Sequence, residues 1–178
     1  MSELSAQGPT IHSGATSVVD SSGTHAVKLG TRAVDTDGNE FVYVDFQESF
    51  ISGEWCALDS GYLATQLTAA SRGSVGVVAG TVSASDRFGW VCVRGVVTNA
   101  WATSGATTAD PVVIAATTGL GHVATGTSAD VSIAVRGAKI ATAPDTCAST
   151  ALSTSALAAP CTVVLMYPFV DGTFAISS

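Results

Sequence analysis

Two segments of this chain carry apolar side chains on both faces of what their composition predicts to be β-strands. In residues 39–46 and 88–93, apolar residues occupy odd and even positions alike. A strand in a solitary antiparallel sandwich usually has one polar face. Two apolar faces therefore indicate either a barrel covered by further segments of the chain or a subunit interface. The aromatic residues assigned to such a core or interface are Phe41, Tyr43, Trp55, Phe88, Trp90 and Trp101.

The chain from residue 25 onward has the pattern of an all-β domain. Short runs rich in Val, Thr, Ile and aromatic residues alternate with Gly, Asp, Asn and Ser, which is typical of strands separated by turns. We expect one small antiparallel β-barrel or sandwich over residues 25–178. Asp35-Thr36-Asp37-Gly38 predicts a hairpin turn. Strands are predicted near residues 25–34, 39–46, 54–58, 75–82, 88–97, 111–116, 122–125, 131–135, 161–169 and 173–176.

Three segments do not follow this pattern. Residues 62–71 are the best helix candidate because Tyr62, Leu63 and Leu67 have helical spacing, although a strand and a loop fit equally well. Residues 141–160 consist mainly of small residues and predict a long surface loop with at most one helical turn. Residues 1–24, rich in Ser, Thr and Gly, form either a disordered tail or an extended arm that is ordered only on a partner. In the second case the contact residues are Ile11, Val18 and Val19.

Composition restricts the partners of the chain. Hydrophobic residues make up 47% of its 178 residues and charged residues only 12%, against roughly 25% in ordinary soluble domains. This combination excludes disorder as the main state and indicates that much of the surface faces other protein. The formal net charge of −7 argues against nucleic-acid binding. The longest uncharged stretch, residues 146–170, is interrupted by Ser, Thr and Pro, so no membrane span is expected.

The N-terminus has no basic and apolar leader, so no secretion signal is predicted. Without one, Cys56, Cys92, Cys147 and Cys161 are interpreted as small buried hydrophobic residues of a protein that folds in a reducing cytosol. A disulfide between Cys147 and Cys161 is the alternative.

No motif in the sequence predicts chemistry. The acidic segment 35–40 has Glu40 where a calcium-binding loop needs Gly. His12, His25 and His122 have no neighbour at metal-ligand spacing. We therefore expect no catalytic residue, no metal and no cofactor, and no enzymatic activity. A small hydrolase or lyase on a β-barrel remains a rival because residues distant in sequence can converge in space.

Three segments carry a resemblance to a known family. The first is Gly30-Thr31-Arg32 followed by Asp37-Gly38-Asn39-Glu40-Phe41-Val42-Tyr43-Val44; the second is Val75-Gly76-Val77-Val78 leading to Arg87-Phe88-Gly89-Trp90-Val91-Cys92-Val93-Arg94-Gly95; the third is Val163-Val164-Leu165-Met166-Tyr167-Pro168-Phe169. Over residues 28–170 the chain resembles the head decoration, or cement, proteins encoded beside the major capsid protein of tailed bacteriophages. It departs from that pattern at Cys92 and in residues 141–160.

The resemblance implies a structural protein of the virion. It implies a homotrimer, made in the host cytoplasm, that sits on the outer capsid surface and clamps neighbouring copies of the major capsid protein. The alternatives are another trimeric virion component, such as a head fibre or a tail or spike receptor-binding module, and a pilus or surface-layer subunit.

Overall fold

The computed structural model describes residues 27–68, 70–83, 88–103, 108, 111–114, 123–125, 134–142 and 158–170. These residues form strands and no helix, which confirms the all-β prediction. The strands are β1 (Arg32–Val34), β2 (Glu40–Phe46), β3 (Trp55–Leu58), β4 (Leu63–Gln66), β5 (Gly73–Val78), β6 (Phe88–Thr103), β7 (Pro111–Ile114), β8 (Val123–Thr125), β9 (Ala134–Thr142) and β10 (Ala158–Val170).

The ten strands pair into one mixed sheet that returns on itself in two circuits. The first circuit runs β2-β4-β3-β5-β6 and back to β2. The second runs β6-β8-β7-β9-β10 and back to β6. Numbered along the chain, both circuits have the same order, first-third-second-fourth-fifth. Strand β6 is the fifth strand of one circuit and the first strand of the other.

One pairing in each circuit is parallel, β2 with β4 and β6 with β8. The sequence predicts an antiparallel barrel or sandwich, which these two parallel pairings correct. The difference follows from closure, because the strand direction must reverse an even number of times around any ring. A ring of five strands therefore contains at least one parallel pairing.

The two apolar faces noted in the sequence belong to different hydrophobic clusters of this one chain. Val42, Val44 and Phe46 of β2 lie inside the first circuit, whereas Tyr43 points to the opposite side. There it packs with Phe88 and Trp90, and the segment before β1 covers this group. The second circuit has its own cluster, which also receives the outward side chains of β3 and β5. Within the described residues, the barrel-like alternative accounts for both faces.

The helix candidate at residues 62–71 contains strand β4 instead. Tyr62 has a φ of 63°, which starts the strand from a left-handed residue. Strand β4 lies between β2 and β3 and bonds to both, and the N–H of Leu67 then donates to the carbonyl of Trp55 at 3.3 Å. These pairings satisfy backbone groups that a helix would have satisfied internally.

The hairpin turn at residues 35–38 is confirmed. Oδ1 of Asp35 accepts hydrogen bonds from the N–H groups of Asp37 and Asn39 at 2.9 and 2.8 Å. Gly38 has a φ of 83°, in the left-handed region that glycine adopts without steric penalty.

The predicted loop at residues 141–160 is wrong at both ends, because β9 extends to Thr142 and β10 begins at Ala158. Residues 143–157 between them, the predicted strand at 173–176 and the arm at 1–24 lie outside the described residues. Cys161 is a buried free thiol rather than part of a disulfide, and Cys147 also lies outside the described residues.

Candidate interaction surface

Strand β10 contains a bulge that turns two large side chains toward solvent. Leu165 pairs with Ala138 and Phe169 with Arg136, so three residues of β10 face the single residue Gly137 of β9. Bulges of this kind redirect side chains and concentrate beside functional sites. Met166 and Tyr167 of the bulge are 68% and 47% exposed.

The backbone of the bulge has an unfavourable conformation. Tyr167 has a φ of 51°, and a non-glycine residue in the left-handed region costs about 1–2 kcal/mol. Gly137 opposite has a φ of 73°, and a Cβ there would lie 2.6 Å from the carbonyl oxygen of Met166. The bulge therefore depends on a glycine across from it and on contacts that hold Tyr167 in place.

Those contacts come from the hairpin of β1 and β2. The hydroxyl of Tyr167 donates to Oε2 of Glu40 at 2.6 Å, and the guanidinium of Arg32 lies over the Tyr167 ring, 5.5 Å from its centroid. Arg32 also forms an ion pair with Glu40. Burial alone would raise the pKa of Glu40, but the hydrogen bonds from Tyr167 and Arg32 outweigh it and lower that pKa. Glu40 thus remains ionised and holds both partners.

The bulge belongs to a larger exposed surface. Val164 pairs with Val96 and with Lys139, and Met166 pairs with Arg94. Because directly paired residues project from the same side of a sheet, their side chains share one face, opposite to the buried Leu165. We call this surface the β10 face; it consists of Arg94, Val96, Arg136, Lys139, Val164, Met166, Tyr167 and Phe169.

The β10 face is apolar along its middle. Val96 is 51% exposed and Phe169 is 41% exposed, in addition to the two bulge residues. A contiguous exposed apolar surface on a folded protein commonly marks an interaction site. The sheet beneath it is held by the second hydrophobic cluster, which includes Val163 and Leu165. The apolar surface therefore lies on a well-packed part of the protein.

Beside this apolar stripe the charged residues of β6, β9 and β10 are basic, whereas Glu40 of the neighbouring strand β2 is acidic and is bound by Arg32 and Tyr167. Strands β6, β9 and β10 together contain Arg94, Arg136 and Lys139 and no Asp or Glu. The whole chain has 14 acidic and 7 basic residues. Nearly half of its basic residues therefore lie on three neighbouring strands of an otherwise acidic chain.

The aromatic residues that the sequence singled out lie mostly inside the chain. Tyr43, Trp55, Phe88 and Trp90 are buried, and Phe41 and Trp101 are half-buried. The indole N–H of Trp55 donates to the carbonyl of Trp101 at 3.1 Å, and that of Trp101 to the carbonyl of Ser52 at 2.9 Å. The four buried aromatic side chains are thus core residues of this chain. The other predicted contacts, Ile11, Val18 and Val19, lie outside the described residues.

The three cysteines among the described residues are buried free thiols. Burial raises the pKa of the Cys92 thiol to about 12 and that of the Cys161 thiol to about 11, and it raises the pKa of Cys56 further still. Such thiols are poor nucleophiles because the thiolate is the reactive form. Within the described ranges, no three His, Cys, Asp or Glu side chains gather as metal ligands would. His12, His25 and His122 all fall outside those ranges.

Sequence reasoning missed the β10 face as a site. The run Val163–Phe169 contains no polar residue except the Tyr167 hydroxyl, so no polar alternation marks which of its side chains are exposed. A usable signal was the absence of acidic residues from residues 88–103 and 158–170, which a comparison of charge along the chain reveals.

In the part of the chain that the structure describes, no helix has the length and apolar character needed to cross a membrane. Comparisons of the chain with models of known families, with curated proteins and with solved structures find no match.

Proposed function

We propose that this chain is a structural protein of a virus particle, a decoration protein that binds the outside of the major capsid protein lattice and stabilises the head. The observation that carries the proposal is the exposed apolar β10 face in a chain of which only 12% is charged. A protein with few charges and an exposed apolar surface gains free energy by covering that surface with another protein.

The arrangement of the three resembling segments supports the capsid assignment. They fall on strands that are neighbours in the sheet, since β6 pairs with β2, with β5 and with β10. The third segment contains the bulge residues Met166, Tyr167 and Pro168. The residues that carry the resemblance therefore form one connected part of the fold, including its exposed surface.

The proposal includes the partners and the location. The chain binds the major capsid protein and copies of itself as a homotrimer, is made in the host cytoplasm and resides on the outer surface of the virion. It needs no metal or cofactor and catalyses no reaction. A ligand that binds only the assembled lattice shifts the assembly equilibrium toward that lattice, which is how such a protein would stabilise a head.

Counting copies in purified particles tests this function. Isotope-labelled peptides of the chain and of the major capsid protein give their ratio by mass spectrometry, and cryo-electron microscopy locates the chain. We expect a copy number in proportion to the major capsid protein and density on the outer surface. Particles that lack the chain should lose their genome at a lower temperature than particles that carry it.

Two results would contradict the proposal. Absence of the chain from purified particles would remove it from the virion altogether. A few copies confined to the tail or to one vertex would identify the chain as a fibre, tail or spike component instead.

A further inference from the structure

The β10 face combines two features that are not required by the fold. Its apolar side chains, chiefly Val96, Met166 and Phe169, are exposed, whereas Leu165 before Met166 and Val170 after Phe169 are buried. Its charged side chains on β6, β9 and β10 are all basic, and the carboxylate of Glu40 on the neighbouring strand β2 is already bound by Arg32 and Tyr167. A surface of this kind is complementary to apolar side chains flanked by carboxylates.

We propose that the β10 face is the docking surface for an acidic protein surface on the capsid shell, one that places apolar side chains over Met166 and carboxylates near Arg94 and Lys139. This inference rests on the proposed function and adds to it the contact surface and the chemistry of the partner. The bulge supplies a fixed anchor, because Tyr167 is held by Glu40 and Arg32. A side chain that is already fixed loses little conformational entropy on binding.

Two other occupants fit the surface less well. A second copy presenting the same face across a two-fold axis would bring Arg94 and Lys139 toward basic residues of its own kind. A second copy in the proposed trimer would present a different surface, and the oligomer mass measured below distinguishes that contact from shell binding. A nucleic acid would satisfy the basic residues but would leave Met166, Val96 and Phe169 without apolar partners, since phosphate contacts are polar. An acidic protein surface accommodates both the charges and the apolar stripe.

The test uses the full chain and empty expanded shells assembled from the major capsid protein of the same genome. Binding is measured by co-sedimentation at several protein concentrations. Met166→Gln keeps the length of the side chain but removes its apolar end. Arg94→Gln combined with Lys139→Gln removes two positive charges from the rim. All three residues are exposed, so the variants are expected to fold, which far-UV circular dichroism checks.

Matched controls lie elsewhere on the chain. Ile51→Gln changes an exposed apolar residue between β2 and β3, and Lys28→Gln combined with Arg72→Gln removes two exposed positive charges outside β6, β9 and β10. We expect Met166→Gln to weaken shell binding by about tenfold, as a central contact residue does. The rim variant should weaken binding by a smaller factor and reduce its salt dependence. The control variants should bind as the wild type does.

The outcomes separate this inference from the function on which it rests. If the wild type binds shells and the β10-face variants bind equally well, the docking surface is wrong and the decoration function stands. If the wild type does not bind shells, both are wrong. If Met166→Gln instead changes the oligomer mass in light scattering and leaves shell binding intact, the face contacts a second copy and the proposal fails. Loss of oligonucleotide binding in the rim variant, with shell binding unchanged, would likewise overturn it.

Discussion

The hydroxyl of Tyr167 donates a hydrogen bond to the carboxylate of Glu40, a residue 127 positions earlier in the chain. Glu40 pairs with Arg94 and Arg94 with Met166, so β6 lies between the two partners and Tyr167 reaches across it. The bond ties the bulge of β10 to the β1–β2 hairpin and keeps a strained tyrosine in one conformation.

Removing that hydroxyl should destabilise the protein. Tyr167→Phe retains the ring under Arg32 but leaves Glu40 without its second donor, and we expect a loss of about 1 kcal/mol in the free energy of unfolding. Urea unfolding measures it. Tyr62→Phe is the control, because Tyr62 is also an exposed tyrosine with positive φ. Equal effects of the two substitutions would show that the Glu40 bond does not stabilise the bulge.

A pair of glycines separates backbone strain from steric clash. Gly38 and Gly137 both have positive φ, but a Cβ on Gly38 meets no atom within 4 Å, whereas one on Gly137 would lie 2.6 Å from a carbonyl oxygen. Gly38→Ala should cost about 1 kcal/mol and Gly137→Ala clearly more, on the order of 3 kcal/mol. Urea unfolding of both variants checks the order; a smaller effect at Gly137 would mean that the bulge shifts freely.

Substitutions of Trp55 and of Trp101 should lower the free energy of unfolding by different amounts. Trp55 is fully buried and donates to Trp101, which is half-buried and donates to Ser52. Trp55→Phe leaves a cavity and removes the donor to a carbonyl, at a cost of about 2–3 kcal/mol. Trp101→Phe should cost about 1 kcal/mol. Thermal and urea unfolding compare them, and a reversed order would show that Trp101 contributes more to the core than Trp55 does.

Glu54 should make stability depend on pH. Its carboxyl is buried, and burial raises its pKa although the N–H of Ile51 donates to it at 2.8 Å. A folded-state pKa above the unfolded-state value means that protonation favours the folded chain. The contribution of Glu54 to stability is therefore complete below the unfolded-state pKa and is lost as the pH rises through the folded-state pKa.

The neutral variant Glu54→Gln keeps an oxygen that can accept the bond from Ile51. We expect it to be more stable than the wild type at neutral pH and the difference to shrink as the pH falls toward 4.5, the ordinary value for glutamate. Urea unfolding across this pH range measures the difference. A difference that is independent of pH would show that the Glu54 carboxyl is not desolvated.

The arm is tested by truncation. Deletion of residues 1–24, which removes Ile11, Val18 and Val19, should weaken binding to shells and leave the unfolding midpoint of the β-domain unchanged. An extended segment can add to a neighbouring sheet by main-chain hydrogen bonds, and that contribution disappears with it. A truncated protein that binds shells as tightly as the full chain would show that the arm does not contact the lattice.

Local sequence patterns predicted most strands because the tendency of a segment to form a strand depends largely on its own residues. Runs of Val and aromatic residues located β2 and the first half of β6, and Asp35 with Gly38 defined the turn. The spacing of Tyr62, Leu63 and Leu67 also fits a helix, but pairing of β4 with strands on both sides overrides that preference. Local pattern alone could not distinguish these outcomes.

The candidate site depends on contacts between distant segments. The bulge exists because Gly137 faces Tyr167 in the β9–β10 ladder, and Tyr167 reaches Glu40 only once β6 lies between them. Similarly, both circuits have the same strand order, yet no internal repeat is visible in the sequence. Strand order is set by pairing between distant segments and does not require the two circuits to have similar sequences. The shared order therefore leaves no periodic pattern in the sequence.

The division of β6 has a consequence for how the chain can be cut. Its residues from Phe88 to Arg94 pair with β2 and β5, and those from Arg94 to Thr103 pair with β8 and β10. Two fragments separated there would each retain the strands needed to complete a ring. The first fragment would nonetheless expose Trp55 and Val77, whose cluster is completed by the second. Co-expressed halves would therefore reassemble, whereas either half made alone would aggregate or be degraded.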